Sequence, residues 1–351
     1  MKLLSIIGTR PNFIKEYLIH TNASKYGIEE VVVHTGQHYD ENMSGHFLSD
    51  FNINVDYFLD IRSKSHCKQI AEMIVGIEDV INKEEPDATL IYGDVNSTMA
   101  GAIASSKNSI PVIHYEGGIR TSLTFNPEEI NRRVSDIVSN LIFCVTKDGV
   151  ETLKEENYNE ENIIFSGDLH KDLLELILKT KKISIEDHNY IVCTIHRAET
   201  TDNKHHLEAI VNSLLKSEYR VIIPLHPRTK KALQRFNLLE KFISGKNIEI
   251  VDPLNYINFV ELLSKSSKVV TDSGGVRREG FLLNKPVINF SNIIWFREII
   301  NAGYKYVAYY NEEKIIQAIN SFTPIAKKHF NVFGDGNAYK IVLQEIKERF
   351  G

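Results

Sequence analysis

The sequence predicts an α/β protein of two doubly wound parallel sheets with a cleft between them. Three observations predict it. Short runs that are apolar on both faces alternate with longer helical patterns, as buried parallel strands joined by crossover helices require. The rhythm restarts after Asp168, giving two strand sets of domain size within 351 residues. The chemistry-bearing residues cluster just beyond the strand ends, where doubly wound sheets bind ligands.

The first set reads Leu3–Ile7, Glu30–His34, Ala88–Tyr92, Pro111–His114, Leu141–Val145 and Ile163–Phe165. Leu3–Ile7 is almost wholly apolar and ends in Gly8-Thr9-Arg10-Pro11, where glycine permits a tight turn and proline suits the first turn of a helix. The second set reads Tyr190–Ile195, Arg220–Pro224, Ile248–Val251, Lys268–Thr271 and Pro286–Asn289. The expected division is a Rossmann-like domain over 1–168, a second over 169–336, and an amphipathic helix within 337–351 that packs back on the first. The linker is expected near Ser166–Lys171.

Several strand ends carry candidate chemistry. Arg10 and Lys15 sit near a helix N-terminus, a place for anions or for a plain solvated turn. Asp94 follows Gly93, Glu116 precedes Gly117-Gly118, and Glu128 lies in Asn126-Pro127-Glu128-Glu129, which reads as a helix start. Three carboxylates on neighbouring loops can share one pocket, where crowding raises a pKa for acid–base work; equally, Asp94 can be a cap and Glu128 a first-turn acid. In the second set, His196 and His226 end adjacent strands within Thr194-Ile195-His196-Arg197 and Pro224-Leu225-His226-Pro227-Arg228. A histidine there can stabilise a leaving phosphate or be structural. Thr271-Asp272-Ser273-Gly274-Gly275 ends a strand in a small glycine turn before a helix from about Val276. Backbone N–H groups of Gly274 and Gly275 with the Ser273 hydroxyl suit a pyrophosphate, and Glu279 lies a turn on, within reach of a ribose; a turn made for close packing is the other reading.

Composition narrows the class. Apolar residues make up 42% and charged residues 25%, as in a globular protein, and a net charge of −5 argues against a nucleic-acid or membrane coat. The 3 cysteines, Cys67, Cys144 and Cys193, are too scattered for a disulfide framework and read as free buried thiols. Met1-Lys2 leads into too short an apolar run for a signal peptide, and no run suits a membrane helix, so the expected location is cytoplasmic. No G-x-G-x-x-G, Walker or metal-ligand spacing occurs, so no cofactor and no metal are expected; His205-His206 reads as solvated surface.

At these residues the chain resembles the non-hydrolysing UDP-N-acetylglucosamine 2-epimerase family. The resemblance runs along nearly the whole chain through Gly8-Thr9-Arg10-Pro11, Gln37-His38, Gly93-Asp94, Glu116-Gly117-Gly118-Ile119-Arg120, Pro127-Glu128-Glu129-Ile130-Asn131-Arg132, His196-Arg197-Ala198-Glu199, Asp272-Ser273-Gly274-Gly275 and Phe333-Gly334-Asp335-Gly336. It implies a glycosyltransferase-B fold, a homodimer and a UDP-linked N-acetylated sugar as partner. Laid on matching positions, it implies Asp94, Glu116, Glu128 and His196 as catalytic. Arg10, Lys15, His226, Phe259, Ser273, Gly274, Gly275, Glu279 and Arg297 would bind substrate, with Phe259 near the uracil. Phe296 stands where the family usually has arginine, with Arg297 one step on, a feature resembling the branch that handles UDP-linked diacetamido uronic acids; the stretch Gln37–Met43 also suits that branch. Gly117 replaces the usual alanine and Leu254 a glutamine of some members. The expected reaction is 2-epimerisation between UDP-N-acetylglucosamine and UDP-N-acetylmannosamine. The competing readings are the diacetamido uronate, a hydrolysing enzyme that releases N-acetylmannosamine and UDP, a glycosyltransferase, and a non-catalytic UDP-sugar binder.

Overall fold

The computed structural model describes residues 1–37, 51, 53–63, 65–121, 126–292, 294–324 and 331–351. His38–Met43, part of the expected branch signature, lie outside the described residues.

The chain divides into two compact units, Met1–Glu175 with Asn331–Gly351, and Leu176–Phe330. Each holds one wholly parallel sheet. In the first, β1 (Lys2–Ile7), β2 (Glu29–His34), β3 (Tyr57–Phe58), β4 (Ala88–Tyr92), β5 (Val112–Tyr115), β6 (Leu141–Cys144) and β7 (Ile163–Phe165) run in the order β3-β2-β1-β4-β5-β6-β7. The second orders β8 (Tyr190–Thr194), β9 (Arg220–Pro224), β10 (Ile248–Val251), β11 (Lys268–Thr271), β12 (Val287–Asn289) and β13 (Lys305–Val307) as β10-β9-β8-β11-β12-β13. Strand order therefore reverses beside β1 in one sheet and beside β8 in the other. At such switch points neighbouring crossovers part to opposite faces and leave a crevice beyond the strand ends.

Central strands form because their residues are buried on both sides. Leu3, Leu4, Ile6 and Ile7 of β1 are fully buried, as are Ile191, Val192 and Cys193 of β8. Each such side chain contributes about 1.5–3 kcal/mol of transfer free energy. The sequence pattern locates these strands within a residue or two. It misses β3 and β13, short edge strands whose two or three residues carry no period of their own.

Of the expected linker at Ser166–Lys171, only residues 166–168 lie outside regular structure. Helix Leu169–Lys181 takes up the rest, so that the boundary at Glu175 and Leu176 falls inside a helix, with Leu173, Leu174 and Ile177 buried. The return is at Asn331 rather than 337. There Gly167 and Gly334, both with positive φ, cross backbone to backbone, and a Cβ on Gly334 would lie 2.8 Å from Gly167 Cα. Helix Ala338–Phe350 belongs to the first unit and packs on helix Arg10–His20.

Two smaller expectations are corrected. Cys67 is exposed, whereas Cys144 and Cys193 are buried and burial pushes their thiols up. His205 is solvated, but His206 stacks flat on Tyr310 at 3.8 Å with its Nδ1 2.8 Å from the Glu199 carbonyl, an apolar face covering an aromatic. Among the described residues no helix is long and apolar enough to cross a membrane.

Candidate functional site

The ends of β1, β4 and β5 meet tightly in the first unit. Gly8 is glycine because a Cβ there would overlap Ser97 Oγ and Thr35 Oγ1; close approach, rather than the expected turn, demands it. Helix Arg10–His20 starts with Pro11 in its first turn. Asn12 fixes the start: its Oδ1 accepts from the N–H groups of Gly8 (3.2 Å) and Thr9 (3.1 Å), and its Nδ2 donates to the Tyr92 carbonyl (3.2 Å) at the end of β4. Arg10 heads this helix partly exposed, while Lys15, one turn on, is buried.

Lys15 Nζ is paired with Glu116 Oε2 inside the unit. Glu116 holds a left-handed backbone, φ 75°, an uncommon state for a residue with a side chain. Its N–H and that of Gly117 both donate to the Phe143 carbonyl, at 2.9 and 3.1 Å, which holds this turn to β6. Gly93, φ 68°, lies over the pair, and a Cβ there would stand 3.2 Å from Lys15 Nζ.

Asp94 is paired with buried Arg132 of helix Pro127–Val138. Asn131 Nδ2 of that helix also donates to the Asp94 carbonyl, at 2.9 Å. The helix begins as its sequence dictates, with Asn126 accepting from the Glu128 N–H at 3.3 Å, Pro127 in the first turn and two acids beside the positive end. Glu128 is half-buried and four residues before Arg132, hence on the same helix face one turn away. The structure thus joins Lys15 to Glu116 and Asp94 to Arg132, and sets Glu128 beside the second pair. Glu116 and Asp94 each meet a cation, a feature the expectation of crowded carboxylates did not include. Arg132 was missed as a partner although it closes a quoted motif; the four-residue spacing from Glu128 was the available signal.

Behind this corner, buried Glu16 receives the Tyr92 hydroxyl, and burial followed by the charge of Glu30 raises its carboxyl well above the ordinary range. Glu16, His20 and Glu30 bring possible metal-ligating atoms within 4.8 Å of one another. The Asn54 N–H donates to His20 Nε2 at 3.2 Å, so His20 Nδ1 carries its hydrogen toward Glu30, 2.9 Å away. His20 and Glu30 are engaged by their own hydrogen bonds.

In the second unit the switch-point loops follow β8 and β11. Buried Asp272 accepts from the backbone N–H of His196 (3.2 Å) and Arg197 (3.1 Å), tying the two strand ends together. His196 Nδ1 lies 3.6 Å from Asp272, and its ring is 5.9 Å from that of His226. His226 caps helix Pro227–Arg235 by accepting from the Arg228 N–H at 3.1 Å, so its Nδ1 is a lone-pair site. Ser273 is the N-cap of helix Gly274–Leu282, its Oγ accepting from the Val276 N–H at 3.4 Å. The helix starts at Gly274, two residues before the expected Val276. A Cβ on Gly274 would collide with the Trp295 indole, whereas one on Gly275 meets only Ser273 Oγ at 4.0 Å. Glu279 is buried within this helix, and Phe259 is buried on the neighbouring helix Tyr256–Ser264, which packs against it. Arg297 is exposed at the head of helix Arg297–Asn301, and Phe296 before it is left-handed, φ 53°.

Around Trp295 sits a cationic group that sequence reasoning did not find. Arg197 lies 4.7 Å and Arg277 5.9 Å from the indole ring, and Lys305 Nζ donates to the Trp295 carbonyl at 2.8 Å. Burial, then the charge of Arg197, pushes Arg277 down to about 9; burial, then the charge of Arg277, pushes Lys305 down to about 7. Buried cations lowered by a neighbouring cation, beside a helix N-terminus, are suited to an anion.

The sequence profile of a family described as UDP-N-acetylglucosamine 2-epimerase matches residues 20–347. The chain is 37% identical to a protein of Methanococcus maripaludis named UDP-N-acetylglucosamine 2-epimerase homolog, over 99% of each chain. It is 36% identical to the UDP-2,3-diacetamido-2,3-dideoxy-D-glucuronate 2-epimerase of Pseudomonas aeruginosa, also over 99% of each. The crystal structure of the Methanocaldococcus jannaschii UDP-GlcNAc 2-epimerase in complex with UDP-GlcNAc and UDP matches with a TM-score of 0.91 at 34% identity, covering 99% of this chain and 100% of that one.

Proposed function

The chain belongs to the UDP-N-acetylglucosamine 2-epimerase family, and from that premise we propose that it is a non-hydrolysing enzyme that inverts C2 of a UDP-linked acetamido sugar by elimination and re-addition of UDP. The observation that carries this reading is the pairing of Lys15 with Glu116 and of Arg132 with Asp94 at the first switch point.

The C2 proton of the sugar is adjacent to no carbonyl, so direct removal is hard. Departure of UDP gives C1 oxocarbenium character and makes that proton acidic. A carboxylate takes it, leaving a glycal and UDP; return of a proton to the other face and of UDP to C1 completes inversion. Two faces call for two proton-transfer groups, a role for Asp94, Glu116 and Glu128. Holding UDP as a leaving group calls for cations and helix N-termini, a role for Arg10, His196, Arg197, Ser273 and Gly275. Glu279 and Phe259 would serve the ribose and uracil, and His226 and Arg297 the remaining polar contacts. The reading carries with it a cytoplasmic homodimer serving polysaccharide synthesis, for which sedimentation of the purified protein tests the oligomer.

Incubation with UDP-N-acetylglucosamine in D2O should place deuterium at C2 and yield UDP-N-acetylmannosamine. Steady accumulation of free UDP with N-acetylmannosamine would instead indicate hydrolysis. Absence of exchange on every UDP-acetamido sugar would sink the proposal. A second substrate, the UDP-2,3-diacetamido uronate, is favoured by the 36% identity to the Pseudomonas enzyme and by Phe296 in place of the family's arginine. Turnover on the two sugars side by side separates them.

A further inference from the structure

One buried histidine is left unused by this chemistry. His114 on β5 is fully enclosed, two residues before Glu116. Its Nδ1 is 2.7 Å from Asp136 Oδ1 and its Nε2 is 2.7 Å from the Gly93 carbonyl oxygen. A carbonyl oxygen only accepts. Asp136 accepts too: its Oδ2 receives Arg120 Nη1 at 2.7 Å and the Gly118 N–H at 3.2 Å. Burial alone would raise the Asp136 carboxyl, but the bond to His114 and the charges of His114 and Arg120 hold it below the ordinary value. Both ring nitrogens therefore face acceptors, and both bonds form together only when each nitrogen carries a hydrogen. Arg120 is anchored in turn on Glu156, at 2.9 and 2.6 Å, completing a chain of alternating charge.

The carbonyl that His114 holds is the peptide group leading into Asp94. Gly93 and Glu116 are both left-handed, at the ends of adjacent strands; glycine adopts this state freely, but in Glu116 it persists only where surroundings over-determine it. Gly117 belongs to the device, since a Cβ there would overlap Asp136 Oδ1 and Ile142.

We propose that His114, clamped through its two ring nitrogens between Asp136 and the Gly93 carbonyl, is a positioning residue that fixes Asp94 and Glu116 in register for proton transfer. It touches no substrate; it acts through the Gly93–Asp94 peptide. The proposal rests on the assignment of Asp94 and Glu116 to proton transfer, so Glu116→Gln is measured alongside: an active Glu116→Gln enzyme defeats that assignment whatever His114 does.

His114→Gln keeps a donor for one partner and loses the bridge. The expected result is a fall in kcat of about 100-fold, the cost of misplacing reacting groups by about an ångström, with KM and the Kd for UDP within about threefold. A merely structural loss would lower melting temperature and leave kcat per folded enzyme unchanged; that outcome overturns the proposal. The intact protein offers a readout independent of folding of the variant. 15N-histidine spectra should show one ring whose two nitrogens both engage hydrogens protected from exchange. A spectrum in which none of the 13 histidine rings shows such protected hydrogens overturns it as well.

Discussion

In the first unit Glu116 faces Lys15 and Asp94 faces Arg132, whereas in the second Arg197 and Arg277 lie over the same indole and Lys305 is depressed by the charge of Arg277. Both arrangements sit at a reversal of strand order, so the topology is shared and the electrostatics are not. Proton-transfer groups that must stay put between turnovers are served by counter-ions built into the fold. A region for an anionic ligand gains instead from cations that relax when the ligand's charge enters. The glycines differ in the same sense: the chain itself needs Gly8, whereas Gly275 has open space above it.

The sharpest way to break this division is Glu116→Gln. Loss of a proton-transfer group should lower kcat by about 10²–10⁴-fold. Calorimetric affinity for UDP should stay within about twofold; a parallel collapse of UDP binding would refute the separation of labour. Next in size, Gly8→Ala forces a Cβ into Ser97 and Thr35 and should cost about 1–3 kcal/mol, read as a lowered melting temperature. Its counterpart, Gly275→Ala, should leave the melting temperature level or slightly raised, since alanine suits a helix better by about 0.5–1 kcal/mol, while weakening UDP binding. Equal destabilisation by the two alanines would erase the contrast. Arg197→Ala should weaken UDP about tenfold, the scale of one charge-assisted hydrogen bond, and make binding less sensitive to salt.

The smallest effect tests an exception within the first unit. Asp172 accepts from the Tyr339 N–H at 2.9 Å, yet burial pushes its carboxyl up to about 7. Its folded pKa lies above the ordinary 3.8, so the stability it supplies is whole below about pH 4 and is lost as pH rises through 7. Asp172→Asn keeps an acceptor and removes the titration. It should match the parent near pH 4 and melt higher at pH 8; identical curves at both pH values would count against the burial argument.

Much of this was legible in the chain because the governing physics is local. Apolar runs such as Leu3–Ile7 read as buried strands, and Asn126-Pro127-Glu128-Glu129 spelled out a helix start with its cap, its proline and its acids. The glycine turn after Ser273 placed a helix start within two residues. The edge strands β3 and β13 escaped because their pairing is made by neighbours distant in sequence. The linker was placed near Ser166–Lys171, a few residues early, because Ser166-Gly167-Asp168 is a true breaker, and a helix takes over directly after it.

By itself the sequence determined the fold class, the strand ends where candidate groups gather, and the kinds of groups found there, since periodicity, caps and turns act over a few residues. Only the tertiary structure decided which charges meet. Lys15 is 101 residues from Glu116 and Arg132 is 38 from Asp94, and nothing in either stretch of chain names the other. Such pairs are set by strand order and register, and those are fixed by how two sheets bury their faces rather than by any local pattern.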